Sequence, residues 1–304
     1  MPFILVFEQS ILPLFLIVLT AFIYTRLFKP DISVLSSVAL SIFAPIFVFD
    51  ALVREDIQLE SLIQPCGFMI LLTGGLLAVS ALAARLLRLS PDRRVSFILA
   101  CSMINIGNFG LPLIYFTFGQ EAVALSVIYF VVFNIPISTL AIYLSSDKSS
   151  LGATLLDVLR IPILQAFVLA LLFNQLNLPL PEGIAKGLHL FGQGAIPLLI
   201  FILGLQLGTI DLSSGLKPFL GPILAGATIR LVLSPLLALA LLLLLPMDGL
   251  EHDVAVLQTS GPSAILPLMY AIRFKRSPDL LAAVIFTTTL LSGLSLPILI
   301  PLLS

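Results

Sequence analysis

The sequence predicts an all-α membrane protein of ten transmembrane helices, built as two inverted five-helix repeats with helices 4 and 9 broken. Three observations carry that prediction. The chain of 304 residues is 59% hydrophobic and only 10% charged, far more apolar than an ordinary soluble domain. Its apolar residues lie in long runs joined by short polar connections. Clusters of helix-weakening residues recur at corresponding places in the two halves.

A segment of about 20 apolar residues crosses the hydrocarbon of a bilayer. Ten such spans are read, at roughly 3–27, 32–53, 61–87, 94–117, 121–145, 155–176, 184–208, 218–245, 253–273 and 279–302. The first is too long for the hydrophobic region of a signal peptide and lacks a basic leader, so it is expected to remain as span 1. The first repeat covers 1–145, a short linker 146–154, and the second repeat 155–304.

Lys and Arg near the span ends set the orientation. Arg26, Lys29, Arg85, Arg88, Arg93, Arg94, Lys148, Lys217, Arg273, Lys275 and Arg276 follow the odd-numbered spans, against only Arg54 and Lys186 on the other side. The basic side, linker included, is expected in the cytoplasm and both termini outside. Five spans per half is an odd number, so the second half enters from the opposite face. The repeats are therefore inverted about an axis in the membrane plane.

The repeat is legible in the residues. Leu111-Pro112-Leu113 in span 4 answers Leu266-Pro267-Leu268 in span 9, and at the same offset Asn105 meets Ser260, Asn108 meets Ser263 and Tyr115 meets Tyr270. Pro45 in span 2 answers Pro197 in span 7, and Pro136 in span 5 answers Pro297 in span 10.

The stretch Asn105-Ile106-Gly107-Asn108-Phe109-Gly110-Leu111-Pro112 holds two Asn, two Gly and a Pro inside an apolar span, a composition that weakens a helix. Thr259-Ser260-Gly261-Pro262-Ser263 does the same in span 9. Unpaired backbone at bilayer depth costs several kcal/mol per group unless it faces protein or a water-filled cavity, so such breaks mark binding sites of secondary transporters. Of five Asn in the chain, Asn105, Asn108 and Asn134 lie in spans 4 and 5, and polar groups concentrated within spans favour a site. Their amides, with the free N–H groups and partial positive charge of half-helix N-termini, suit a carboxylate. The candidate substrate-binding residues are Asn105, Gly107, Asn108, Gly110, Pro112, Asn134, Gln258, Ser260, Ser263 and Pro267.

Other functions fit less well. The net charge of −1 comes with no basic stripe, so nothing points to nucleic acid. Cys66 and Cys101 fall within apolar spans without His or Cys neighbours at ligand spacing, so neither a disulfide nor a metal site is expected, and no cofactor. No nucleophile–base pair lies within the spans, which disfavours a membrane enzyme. Neither break carries Asp or Glu; Glu8 and Asp50, the carboxylates inside spans, lie toward the outer face. That argues against a paired-carboxylate proton antiporter. Arg230 is the most internal cation and is expected to snorkel to the cytoplasmic side. His189 and His252 are expected to be solvated near span ends. Gly74-Gly75, Gly192 and Gly194 are expected to allow close helix packing.

The pattern Asn105-x-Gly107-Asn108-x-Gly110-Leu111-Pro112, followed by Phe118-Gly119, resembles the fourth span of the auxin efflux carrier family. The Pro-containing span 2, the Thr259–Ala264 segment and the ten-span length are similar too. The family resembles the bile acid:sodium symporters in fold. The resemblance implies a scaffold of spans 1, 2, 6 and 7, where Pro45 and Pro197 shape helices, and a transport domain of spans 3–5 and 8–10, with spans 4 and 9 crossing at their breaks. It further implies a multi-pass protein of a bacterial inner membrane, since the plant members' long central loop is absent. The expected function is carriage of a small organic anion, malate- or auxin-like, by alternating access. A sodium- or proton-coupled symporter is the alternative, because unwound carbonyls and hydroxyls hold ions as well. A homodimer through the scaffold helices is expected by the same analogy.

Overall fold

The computed structural model describes residues 3–55, 57–146, 159–211 and 215–303. In chain order the helical segments are α1 Phe3–Phe28, α2 Ser33–Leu52, α3 Leu59–Leu86, α4 Pro91–Ser102, α5 Ile106–Phe118, α6 Gln120–Ser145, α7 Pro162–Gln175, α8 Glu182–Thr209, α9 Lys217–Leu242, α10 Gly249–Thr259, α11 Leu266–Arg273 and α12 Pro278–Leu302. Seven of them, α1, α2, α3, α6, α8, α9 and α12, are long and apolar enough to cross a membrane. Of the remaining expected spans, the fourth is divided into α4 and α5 and the ninth into α10 and α11. The linker beyond Ser146, with Lys148, and the start of the sixth span lie outside the described residues.

Proline chemistry sets the irregularities. Among the described residues there are four π-helical turns, Phe7–Ile11, Ala39–Phe43, Ile106–Gly110 and Ile229–Leu233. Each ends two residues before a proline: Pro13, Pro45, Pro112 and Pro235. A proline has no N–H to donate, and its ring collides with the carbonyl four residues back. Widening the preceding turn moves that carbonyl aside. The hydrogen bonds record it: Leu12, Ala44, Leu111 and Ser234 each donate their N–H to the carbonyl five residues back. Pro136 and Pro297 sit inside α-helices instead. In the connection before α2, the amide and hydroxyl of Ser33 donate to Asp31 at 2.9 and 2.6 Å, holding that carboxyl below the usual carboxylate range.

The tightest approach joins α1 to α8. A Cβ on Gly204 would lie 2.3 Å from the Val18 carbonyl oxygen, and one on Gly208 would lie 2.6 Å from Thr25 Cβ. This small-xxx-small spacing lets two backbones touch where no apolar solvent penalty drives them together. Helix α2 packs on α7 and the first half of α8, α3 packs on α4 and α9, and α12 packs on α4 and α9. Gly75 faces Leu237 of α9, and Gly192 and Gly194 face Phe47 and Phe43 of α2, as their expected packing role requires; Gly74 faces open space.

The two interrupted helices meet. Asn105 N–H donates to the Pro262 carbonyl at 2.9 Å and Ala264 N–H to the Met103 carbonyl at 2.8 Å, forming an isolated antiparallel bridge between Ile104 and Ser263. Each break thereby satisfies part of the other's orphaned backbone, as burial away from water requires. The position differs slightly from expectation in span 4. The chain leaves the helix at Met103–Asn105, extended at Met103, and Gly107–Gly110 already belong to the π turn. Pro112 sits within the first turn of the α-helical part of α5, where its missing N–H is an orphan in any case.

Candidate functional site

The site is assembled around this bridge. Asn105 precedes α5, is 6% exposed, and its side-chain Nδ2 has no hydrogen-bond partner among the described residues. Asn108 is half-buried one turn later, with no side-chain hydrogen bond among the described residues. Helix α5 has no side-chain cap, so its first N–H groups and partial positive charge stand beside these amides. A buried amide donor without a partner costs about 1–3 kcal/mol and is the feature here that most asks for a ligand.

The other sequence candidates are placed as follows. A Cβ on Gly107 would lie 2.5 Å from the Phe130 ring, and one on Gly110 would lie 3.0 Å from Gln258 Cγ; both give the break room to pack against α6 and α10. Pro112 is buried in the first turn of the α-helical part of α5, after its π turn, and Pro267 in the first turn of α11. Gln258 is fully buried and donates through Nε2 to the Ser126 carbonyl at 3.0 Å. The Ser260 hydroxyl donates to the Val256 carbonyl at 2.6 Å, and that of Ser263 to the Ala100 carbonyl at 2.7 Å. Ser263 N–H finds Thr288 Oγ1 of α12 at 3.2 Å. Asn134 donates to the Phe130 carbonyl of its own helix at 2.7 Å. Gln258, Ser260 and Ser263 thus surround the bridge and hold carbonyls there.

Arg230 departs from expectation. It does not snorkel; it is fully buried and is the bulkiest fully buried side chain among the described residues. The π turn before Pro235 carries it, and its guanidinium donates to the carbonyls of Gly261 at 2.8 Å, Thr259 at 3.0 Å and Cys101 at 3.3 Å, and to Ser234 Oγ at 3.3 Å. The physical reason is the carbonyls that the breaks release, which offer strong acceptors nearer than the lipid–water boundary.

A cavity of about 360 Å³ opens beyond the far end of α5. Its walls combine Ile17 of α1, Phe47 and Asp50 of α2, Tyr115 and Phe116 of α5, Gln120, and His189, Gly192, Gln193, Ile196, Pro197 and Ile200 of α8. Pro197, expected to shape its helix, is part of this wall. His189 is exposed, as expected, and is also paired: its Nδ1 lies 2.9 Å from Asp50 Oδ2 and its Nε2 lies 3.2 Å from Gln193 Nε2. His252 is paired likewise, with Asp253 at 2.9 Å. None of the ten sequence candidates lines the cavity. Its residues come from four distant segments, and the sequence signal nearest to a site was Asp50, a carboxylate in an apolar span. Among the described residues, no group of three or more His, Cys, Asp or Glu side chains is arranged to hold a metal ion.

Comparison with known proteins points to membrane transport. The chain is 31% identical over 277 residues to an uncharacterized transporter of Methanothermobacter thermautotrophicus, covering 89% of this chain and 88% of that protein. It is 27% identical over 230 residues to an uncharacterized transporter of Methanocaldococcus jannaschii, covering 74% and 73% of the two chains. The sequence profile described as membrane transport protein matches residues 6–150 and 145–300. The chain therefore belongs to this auxin efflux carrier-like membrane transport family: it is a multi-pass membrane transporter and not an enzyme.

Proposed function

We propose that the protein is a secondary carrier of a small organic anion, a carboxylate, working by alternating access. The observation that supports this reading is the pair of unpartnered amides, Asn105 and Asn108, at the uncapped start of α5. Amide donors and a helix N-terminus recognise a carboxylate without a buried cation in contact with it. Gln258, Ser260 and Ser263 frame the same place, and Gly107, Gly110, Pro112 and Pro267 shape the breaks. Asn134 belongs to the outer part of the site.

In this reading the chain forms ten membrane helices in two inverted repeats, with the two interrupted helices crossing at the bridge. Helices α1, α2, α7 and α8 serve as the scaffold, and α3–α6 with α9–α12 as the moving domain. The 360 Å³ cavity lies along the seam between them and is the route by which substrate reaches the amides. The protein acts in a bacterial inner membrane with both termini outside, as a homodimer through the scaffold. Native mass spectrometry from lipid would show the dimer; a monomer alone would remove that part.

The central test is flux of labelled small carboxylates into proteoliposomes, preceded by a thermal-shift screen to choose the substrate. Asn105→Ala or Asn108→Ala removes charge-assisted hydrogen bonds worth roughly 1.5–3 kcal/mol each, so affinity should fall tenfold or more while folding is kept. Variants that transport like the parent would overturn the site.

A further inference from the structure

The reading above leaves the coupling ion open, and the setting of Arg230 bears on it. Helices α4 and α10 both end at the breaks, and their carboxyl ends point their free carbonyls at one place. Cys101 belongs to the last turn of α4, and Thr259 and Gly261 lie at the end of α10 and just past it. A helix C-terminus carries roughly half a negative elementary charge, so two together present about one. In a bilayer interior that charge needs a counterion. Carbonyl and hydroxyl oxygens gathered at half-helix C-termini are how a discontinuous-helix carrier holds a coupling cation.

Here the oxygens are already occupied. Arg230 Nη1 meets the Cys101 carbonyl and Ser234 Oγ, and Nη2 meets the Thr259 and Gly261 carbonyls. Ser234 Oγ also donates to the Thr259 carbonyl at 3.0 Å, closing the ring. Arg230 makes no ion pair with a carboxylate among the described residues, so its charge is balanced by the two helix ends. A planar fork with two terminal nitrogens bridges two helices, which a point charge on a flexible stem does not do.

We propose that Arg230 is a tethered cation, filling the oxygen cage that would otherwise hold an inorganic coupling ion, so that the carrier binds no sodium there and moves its substrate without it. This rests on the organic-anion reading. It adds a division of labour: the carboxyl ends of the half-helices are satisfied permanently by Arg230, and the amino end of α5 is left for the substrate.

The experiment has a part that needs no substrate. Isothermal titration of the parent protein with NaCl against choline chloride should show no saturable sodium binding; saturable binding overturns the proposal. Arg230→Ala should unfold at lower temperature than the parent and recover with millimolar guanidinium, which refits the cage, but not with tetramethylammonium, while the parent gains nothing. Arg230→Lys should retain more stability than the neutral, similarly sized Arg230→Met. A Met or Ala variant as stable as the parent and indifferent to guanidinium overturns the proposal, as does a Lys variant no better than Met. In proteoliposomes the parent's carboxylate flux should be the same in sodium and choline, and a loss of roughly tenfold or more is expected for Arg230→Ala. Sodium-dependent parental flux overturns the tethered cation. Absence of any carboxylate flux or binding, with the titration and rescue as expected, overturns the anion reading alone.

Discussion

Gly204 and Gly74 show how differently one residue type is used. A Cβ at Gly204 meets backbone, the Val18 carbonyl at 2.3 Å, whereas one at Gly74 meets nothing within 4 Å. Gly204→Val should force α1 and α8 apart, at the roughly 1–3 kcal/mol or more of an overpacked core. Gly74→Ala should be neutral or stabilising by up to about 1 kcal/mol, because Ala is the better helix former. Thermal unfolding in detergent separates them; equal melting temperatures would remove the packing argument. Gly107→Ala adds a Cβ 2.5 Å from the Phe130 ring, and a smaller residue at 130 should recover part of the loss in the double variant, measured as non-additivity. At this scale the sequence was informative about type and not about partner. Asn105 was legible because an amide is rare in an apolar span. The commitment of Gln258 to the Ser126 carbonyl, 132 residues away, was not.

The π turns are the telling element. Each lies two residues before a proline, so the proline explains the turn. The turn then decides which way the preceding residues face, since one residue of helical register is about 100° of rotation. Pro235 is therefore expected to aim Arg230. Two effects oppose each other in Pro235→Ala. Helix propensity alone favours Ala by about 3 kcal/mol, whereas relaxing the turn withdraws Arg230 from charge-assisted hydrogen bonds worth roughly 1.5–3 kcal/mol each. With three carbonyls at stake, the net change should be a lower melting temperature. A variant more stable than the parent would show that the turn does not position Arg230. The break itself was read from Asn, Gly and Pro composition within a few residues of where it lies. Its displacement to Met103–Asn105 reflects pairing with Pro262 and Ala264, which no local pattern in span 4 contains.

At the level of the whole molecule, orientation and energetics are the open tests. On the bias of Lys and Arg, the Arg85–Arg94 connection is expected in the cytoplasm and both termini outside, and reporter fusions should find them there. A cytoplasmic C-terminus would sink the orientation and the odd span count of each repeat. A carboxylate carried without a compensating inorganic cation moves its charge through the membrane field, worth about 2.3 kcal/mol per charge per 100 mV. An imposed potential, negative inside, should therefore speed efflux of a monovalent substrate and slow its uptake. Flux indifferent to potential would require a co-transported cation.

The membrane class, seven of the expected spans, the basic asymmetry and the two breaks were legible in the sequence alone, because each depends on composition over a window matched to the bilayer thickness or to a helical turn. The partners were decided by the tertiary structure. Arg230 was expected at the lipid–water boundary and lies instead against the Cys101 carbonyl, 129 residues away. His189 is exposed as expected, and the partner that only the fold supplies is Asp50, 139 residues away. Such pairings follow from which orphaned carbonyls and charges the packed helices bring together, and for Arg230, buried where water cannot satisfy it, the nearest protein group prevails.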